Sequence, residues 1–370
     1  MLDPGFTTPE MTAVFSPGAR VTAMLEYESA LTMALADTGF MDLETAEAVA
    51  TALRQPVEDP EAVLAATWSE GTPLRPLLDG VRSRLTEEQA KWAHFGATTQ
   101  DTIDTATMLQ ARRGLELLDA ALITVSGEMA RLVTAHRDQP QMARTFLQHA
   151  RPTTFGFTVA GWLDATLSHI SDLREQRAGL AVQLGGPVGN LAEYGDRGVE
   201  VVEALAQRLG LAAPMLPWHS DRTRMASLSG GLARTARTMA RIGVDVALLA
   251  STDIAEIRVR GGGSSSMAGK ENPMDSVRAV AASELCSAAA AAITGGRPIE
   301  LERGVGAWHT EWAALPLIFQ TTAAAVEAMT ACLASLEVDG ATMGARVKEE
   351  AEVDPRLIDR VLAAYEELTG

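Results

Sequence analysis

The sequence predicts an all-α protein, and three observations predict it. Apolar residues make up 47% of the 370-residue chain, mostly alanine and leucine, while aromatics reach only 5%, a balance that favours helix over strand. Three stretches carry apolar side chains at alternating steps of three and four: Leu115 to Leu132, Met225 to Leu249 and Trp312 to Leu336. Such spacing, sustained beyond the length of an ordinary globular helix, marks a bundle. The chain also lacks alternating strand and helix units and any repeat of about 20 to 50 residues, which removes dinucleotide-binding, barrel and solenoid folds.

Residues 1–102 read as a small N-terminal helical domain, with helical pieces near 19–38, 43–54, 59–67 and 86–93 separated by proline and glycine. Residues 103–340 form the central domain, a five-helix unit in which 154–178 and 274–294 join the three periodic stretches. Pro316 falls inside the third stretch and is expected to kink it or mark its first turn. The alanine-rich run 279–292 predicts close helix approach. A short charged C-terminal segment, 341–370, holds one predicted helix over 355–368.

A formal charge of -17 argues against nucleic-acid or anionic-membrane partners, which select basic faces. The opening MLDPGFTTPEM has no basic-then-apolar leader, and no apolar run of about 18 residues is free of polar interruption, so a cytoplasmic protein is expected. Cys286 and Cys332 sit in alanine-rich helical stretches and read as core residues. No pair of histidines or carboxylates repeats at ligand spacing, so no metal is expected.

One stretch departs from this pattern: GGGSSSMAGKENPM, residues 261–274. Small residues cannot bury enough apolar surface to offset ordering, so a mobile loop is expected, opening at Pro273 onto a helix N-terminus. It fails the P-loop pattern, because Lys270 is not followed by serine or threonine. Backbone N–H groups, Lys270 and Asn272 nevertheless make it a candidate anion site. A flexible linker would account for the glycines and serines but not for lysine, asparagine and proline at a helix entry.

The segment Gly263–Pro273 resembles the signature loop G-S-S-x-M-P-x-K-x-N-P of the fumarase/aspartase superfamily, with Ala268 at the usual proline. HFGATTQDTIDTA at 94–106 and RTFLQHARPTTFG at 144–156 resemble its first and second substrate loops, in the same order. The second loop has Phe146 where lyases of the superfamily carry a histidine, and the histidine stands instead at His149. That form, with Gly161–Asp164, Pro217–His219, Arg222 and LERGVGAWHTEW at 301–312, is similar to the branch that closes 3-carboxy-cis,cis-muconate to a lactone.

The resemblance implies a long-helix bundle with a shortened C-terminal segment, a homotetramer with shared active sites, a small polycarboxylate substrate and no cofactor. It implies Ser264 as the proton-transfer residue, with His149 as opposing acid or carboxylate donor. Thr98, Thr99, Gln100, Ser265, Lys270 and Asn272 are the implied substrate-binding residues, joined by Arg20, His94, Trp162, His219 and Arg222. The first loop has a plainer role as well, since Thr98 or Asp101 suits a helix N-cap. Two rivals stay open: a lyase releasing fumarate from a succinate-type acid, and a silent structural homologue. Glu271, where lactonising relatives commonly carry a basic residue, lowers the loop's positive potential.

Overall fold

The structure, a computed structural model, describes residues 2–263 and 265–369. The predicted catalytic Ser264 lies outside the described residues. Five long helices form the bundle: Thr99–Ala135, Phe155–Ala178, Thr223–Leu249, Met274–Thr294 and Ala307–Ala334. Their three-four apolar positions are the buried ones, including Leu115, Leu118, Leu122, Met239, Ile242, Val246, Phe319, Val326 and Met329. Both cysteines are buried there. At Gly243 an added Cβ would stand 3.1 Å from the Ser276 carbonyl oxygen, so this residue lets helix Met274–Thr294 come close. Pro316 lies inside helix Ala307–Ala334, not in its first turn.

A second apolar core joins helix Pro17–Asp37, capped by Ser16, to helices Leu43–Leu53 and Leu74–Arg82. It also takes in Val201, Leu205 and Leu209 of helix Gly198–Leu209. Neither Leu74–Arg82, of 9 residues, nor Gly198–Leu209, of 12 residues, is predicted from the sequence. The C-terminal helix Pro355–Thr369 is anchored along the bundle. Arg137 pairs with Asp359 at 2.7 Å, and Arg174 donates to the Leu368 carbonyl at 3.2 Å.

An antiparallel hairpin, Pro140–Thr145 with Gln148–Thr154, forms the second loop, a local addition to the helical fold that the sequence does not foretell. Helices Met274–Thr294 and Ala307–Ala334 are long and apolar enough to cross a membrane by length and composition, against the expectation that none would be. The latter is mostly buried in the bundle.

Two opposite ends of the bundle matter for function. At the first lie the starts of helices Thr99–Ala135, Thr223–Leu249 and Ala307–Ala334, tied together where Arg222 pairs with Asp104 and Glu311. At the second, helix Thr99–Ala135 finishes and leads into the hairpin, whose far base returns with Gly156 donating to the His136 carbonyl. Helix Ala307–Ala334 also finishes at this end, where Arg131 donates to the Leu333 carbonyl at 3.1 Å, and helix Met274–Thr294 begins there, Ser276 Oγ lying 3.6 Å from Cys332 Sγ. At about 1.5 Å per residue, the 37 residues of helix Thr99–Ala135 put the two ends roughly 55 Å apart.

Candidate active site

At the first end, Thr98 precedes helix Thr99–Ala135 with extended backbone, and its N–H donates to Asp101 Oδ2 at 2.9 Å. The same oxygen accepts the Gly186 N–H at 2.9 Å, while Asp101 Oδ1 lies 2.6 Å from His219 Nε2. One fully buried carboxylate therefore fixes the first substrate loop against two distant segments. Gln100 donates to the His219 carbonyl at 2.9 Å, and Arg303 donates to Gln100 Oε1 at 3.1 Å and Thr98 Oγ1 at 3.2 Å. Thr98 and Arg303 thus bring hydroxyl and guanidinium donors to a helix N-terminus, where a carboxylate is favoured, and the buried Gln100 holds Arg303 in place.

Beneath them, Arg222 forks onto both oxygens of Asp104 at 2.8 and 2.9 Å and onto Glu311. Trp308 donates its indole N–H to Asp104 Oδ1 at 2.9 Å. Burial opposes the guanidinium charge, but Asp104 and Glu311 outweigh it and hold the Arg222 pKa above its ordinary value. Burial also pushes the Glu311 carboxyl up, although Arg222 pulls it back. His94 Nδ1 lies 2.8 Å from Glu28 Oε1, which also accepts from Thr102 Oγ1 at 2.7 Å. Burial lowers the His94 pKa, yet Glu28 and Asp101 together leave it raised.

At the second end, Arg144 in the hairpin grips Glu256 with Nη1 3.2 Å from Oε2, and Arg346 reaches Glu256 Oε1 at 3.0 Å. Glu256 is wholly buried, so the hairpin is held by a charge pair shielded from water. His149 lies on the exposed return strand, opposite Arg144. The glycine loop has a paired neck: Gly262–Gly263 forms a short antiparallel ladder with Glu271–Asn272, and Asn272 Nδ2 donates to the Gly262 carbonyl at 3.3 Å. A Cβ on Gly261 would stand 1.8 Å from the Asn272 carbonyl oxygen, so no larger residue fits this neck. Ser265 and Lys270 are exposed beyond it.

The predicted residues therefore fall into two groups in one chain. Thr98, Thr99, Gln100, His94, His219 and Arg222 belong to the first end; His149, Ser265, Lys270 and Asn272 belong to the second. Arg20 sits near the first group, its guanidinium 5.2 Å from the Trp312 ring centroid. Four expectations are corrected. Gln100 is 1% exposed, with its amide nitrogen on the His219 carbonyl and its amide oxygen on Arg303, so it supports the donor cluster and is not a substrate ligand. Trp162 is 1% exposed and donates to Asp245 Oδ2 at 3.1 Å, so it is a core residue and not a pocket wall. His219 and Arg222 are buried with their side chains engaged by Asp101, Asp104 and Glu311, and they support the loop from below.

Sequence reasoning missed Arg303 and the buried partners Glu28, Asp104 and Glu311. Arg303 stands in the quoted stretch LERGVGAWHTEW, so its signal was present. For Glu28 and Asp104, only the contacts across 66 and 118 residues reveal the role.

Residues 5–294 match the family model described as lyase. The chain is 36% identical to 3-carboxy-cis,cis-muconate cycloisomerase of Pseudomonas aeruginosa, over 93% of this chain and 76% of that protein. It is 34% identical to nitrosuccinate lyase of Streptomyces davaonensis, over 94% of this chain and 77% of that one. Among solved structures, 3-carboxy-cis,cis-muconate lactonizing enzyme of Pseudomonas putida superposes with a TM-score of 0.87 at 32% identity, covering 92% of this chain and 78% of that one.

Proposed function

This chain belongs to the lyase family of the fumarase/aspartase superfamily, and on that premise we propose that it is a cycloisomerase converting 3-carboxy-cis,cis-muconate to 4-carboxymuconolactone. The observation that carries the reading is the likeness to curated cycloisomerases along nearly the whole chain. The second loop agrees with it. An enzyme that adds a carboxylate of its own substrate to a double bond has no external water or amine to activate, so Phe146 replaces a histidine without loss.

In the lactonising direction the carboxylate oxygen attacks the conjugated alkene, an aci-carboxylate forms, and its carbon is protonated. Ser264 moves that proton, with closure of the glycine loop excluding water. Lys270 and Asn272 hold distal carboxylates, with Ser265 beside them. Thr98 and Thr99 meet another carboxylate, and Arg303, held by Gln100, adds its charge to theirs. Arg20 and His94 line that side, and His149 serves as opposing acid or carboxylate donor.

The working unit is a homotetramer, in which the first end of one copy meets the second end of others. Two features support this. The substrate residues of one chain are divided between ends roughly 55 Å apart. Met274, Val277 and Leu285 of helix Met274–Thr294, with Val244 and Leu248, also leave an apolar strip exposed, which a further copy of the chain would cover.

Loss of muconate-diene absorbance under the purified chain, measured beside gain of fumarate absorbance from candidate succinates, tests the function. Diene loss with lactone formation supports it; fumarate release with an untouched diene replaces it by the lyase reading. The nitrosuccinate lyase relative favours that second reading.

A further inference from the structure

The turn at the tip of the hairpin is built against the preferences of its own residues. Thr145 pairs with Gln148, leaving Phe146 and Leu147 as a two-residue turn with φ of 51° and 62°. Positive φ at both central positions is the type I′ turn, for which Asn-Gly is the ordinary sequence, and a large side chain there is strained. Phe146 is 99% exposed and Leu147 68%. The arm behind them is stiff, since Arg144 and Arg346 both hold the buried Glu256. A rigid hairpin thus presents a strained apolar tip to solvent, and among the described residues of one copy no contact covers Phe146.

We infer that Phe146 is a specificity-determining residue supplied by a second copy of this chain. Its ring covers the reacting carbons of the substrate held at the first end of the copy that receives it and keeps water from the carbon that the substrate's own carboxylate attacks. The inference rests on the cycloisomerase reading. A second copy is required because Thr98, Gln100 and Arg303 lie at the far end of helix Thr99–Ala135 from their own hairpin. The ring itself can neither donate nor accept a hydrogen bond, so it orients no water. That matters because water competes for the same double bond: its oxygen would bond to one carbon and its proton to the neighbouring one, giving a hydroxy acid with no change of oxidation state. A dry face leaves the tethered carboxylate as sole nucleophile.

The test uses the full-length chain with 3-carboxy-cis,cis-muconate and product analysis. Phe146→Ser should lower kcat/KM on the order of tenfold to a hundredfold, as a displaced wall does, and divert part of the product to the hydroxy acid. Phe146→Asn combined with Leu147→Gly gives the turn its ordinary sequence, so its loss of turnover cannot be laid on misfolding. Phe146→Tyr, which keeps the ring, should stay within a few fold of the parent. An Asn-Gly variant with parental kcat/KM and lactone as sole product overturns the inference, as does full activity in a monomer by sedimentation. A parent chain that leaves the diene untouched overturns the cycloisomerase reading first, and this inference with it.

Discussion

The two ends of the bundle solve opposite problems. At the first, charges are buried and saturated: Asp101, Asp104, Glu311, Arg222 and His219 satisfy one another, and Gln100 and Arg303 stand on that platform. At the second, the exposed glycine loop and an exposed hairpin strand, to which the proposed mechanism assigns the proton transfer, are tied at their bases by a short ladder and by the Arg144–Glu256 pair. The first end preorganises donors, which is where electrostatic stabilisation gains most. In the proposed function the second end holds the parts that approach a substrate and withdraw. Damage to the first should therefore register as lost stability, and damage to the second as lost turnover.

The widest separation is expected from Ser264→Ala. Turnover should fall on the order of a thousandfold with unchanged helicity and melting temperature, the scale of a lost proton-transfer group. Retained activity would remove Ser264 from the mechanism. At the other end, Arg222→Met strands Asp104 and Glu311 in the interior and should cost about 3–5 kcal/mol in denaturant unfolding. A variant as stable as the parent would break the comparison.

A smaller effect is expected at the loop neck. Gly261→Ala forces a Cβ onto the Asn272 carbonyl, at a local cost of about 1–3 kcal/mol. Since the strain lies in a peripheral ladder, kcat/KM should fall while global melting hardly moves. Lys270→Met should act mainly on KM, raising it about tenfold for a substrate that loses one carboxylate contact; an unchanged KM would deny Lys270 that role.

The smallest expected effect concerns pH. The folded-state pKa of His94 is raised above its ordinary 6.5 by Glu28 and Asp101, against burial and Arg82. Its pairing therefore stabilises fully below about pH 6.5, and that contribution is lost as pH rises through the raised folded value. Melting temperature should decline across that window in the parent and stay flatter in Glu28→Gln. Identical slopes would detach His94 from Glu28.

The sequence by itself determined the helical class, the five bundle helices and the order of the three loops, because apolar spacing and a proline at a helix entry are local signals. Thr98 marked its helix start in the same way. Only the tertiary structure decided the rest. Trp162 and Arg303 exchanged their expected importance because burial and partners depend on what packs opposite. The tying of Glu28 to His94 and of Arg144 to Glu256 spans 66 and 112 residues and leaves no trace in any short window. The hairpin stayed invisible for a related reason: its turn residues, Phe146 and Leu147, are ones that local preference would never put there.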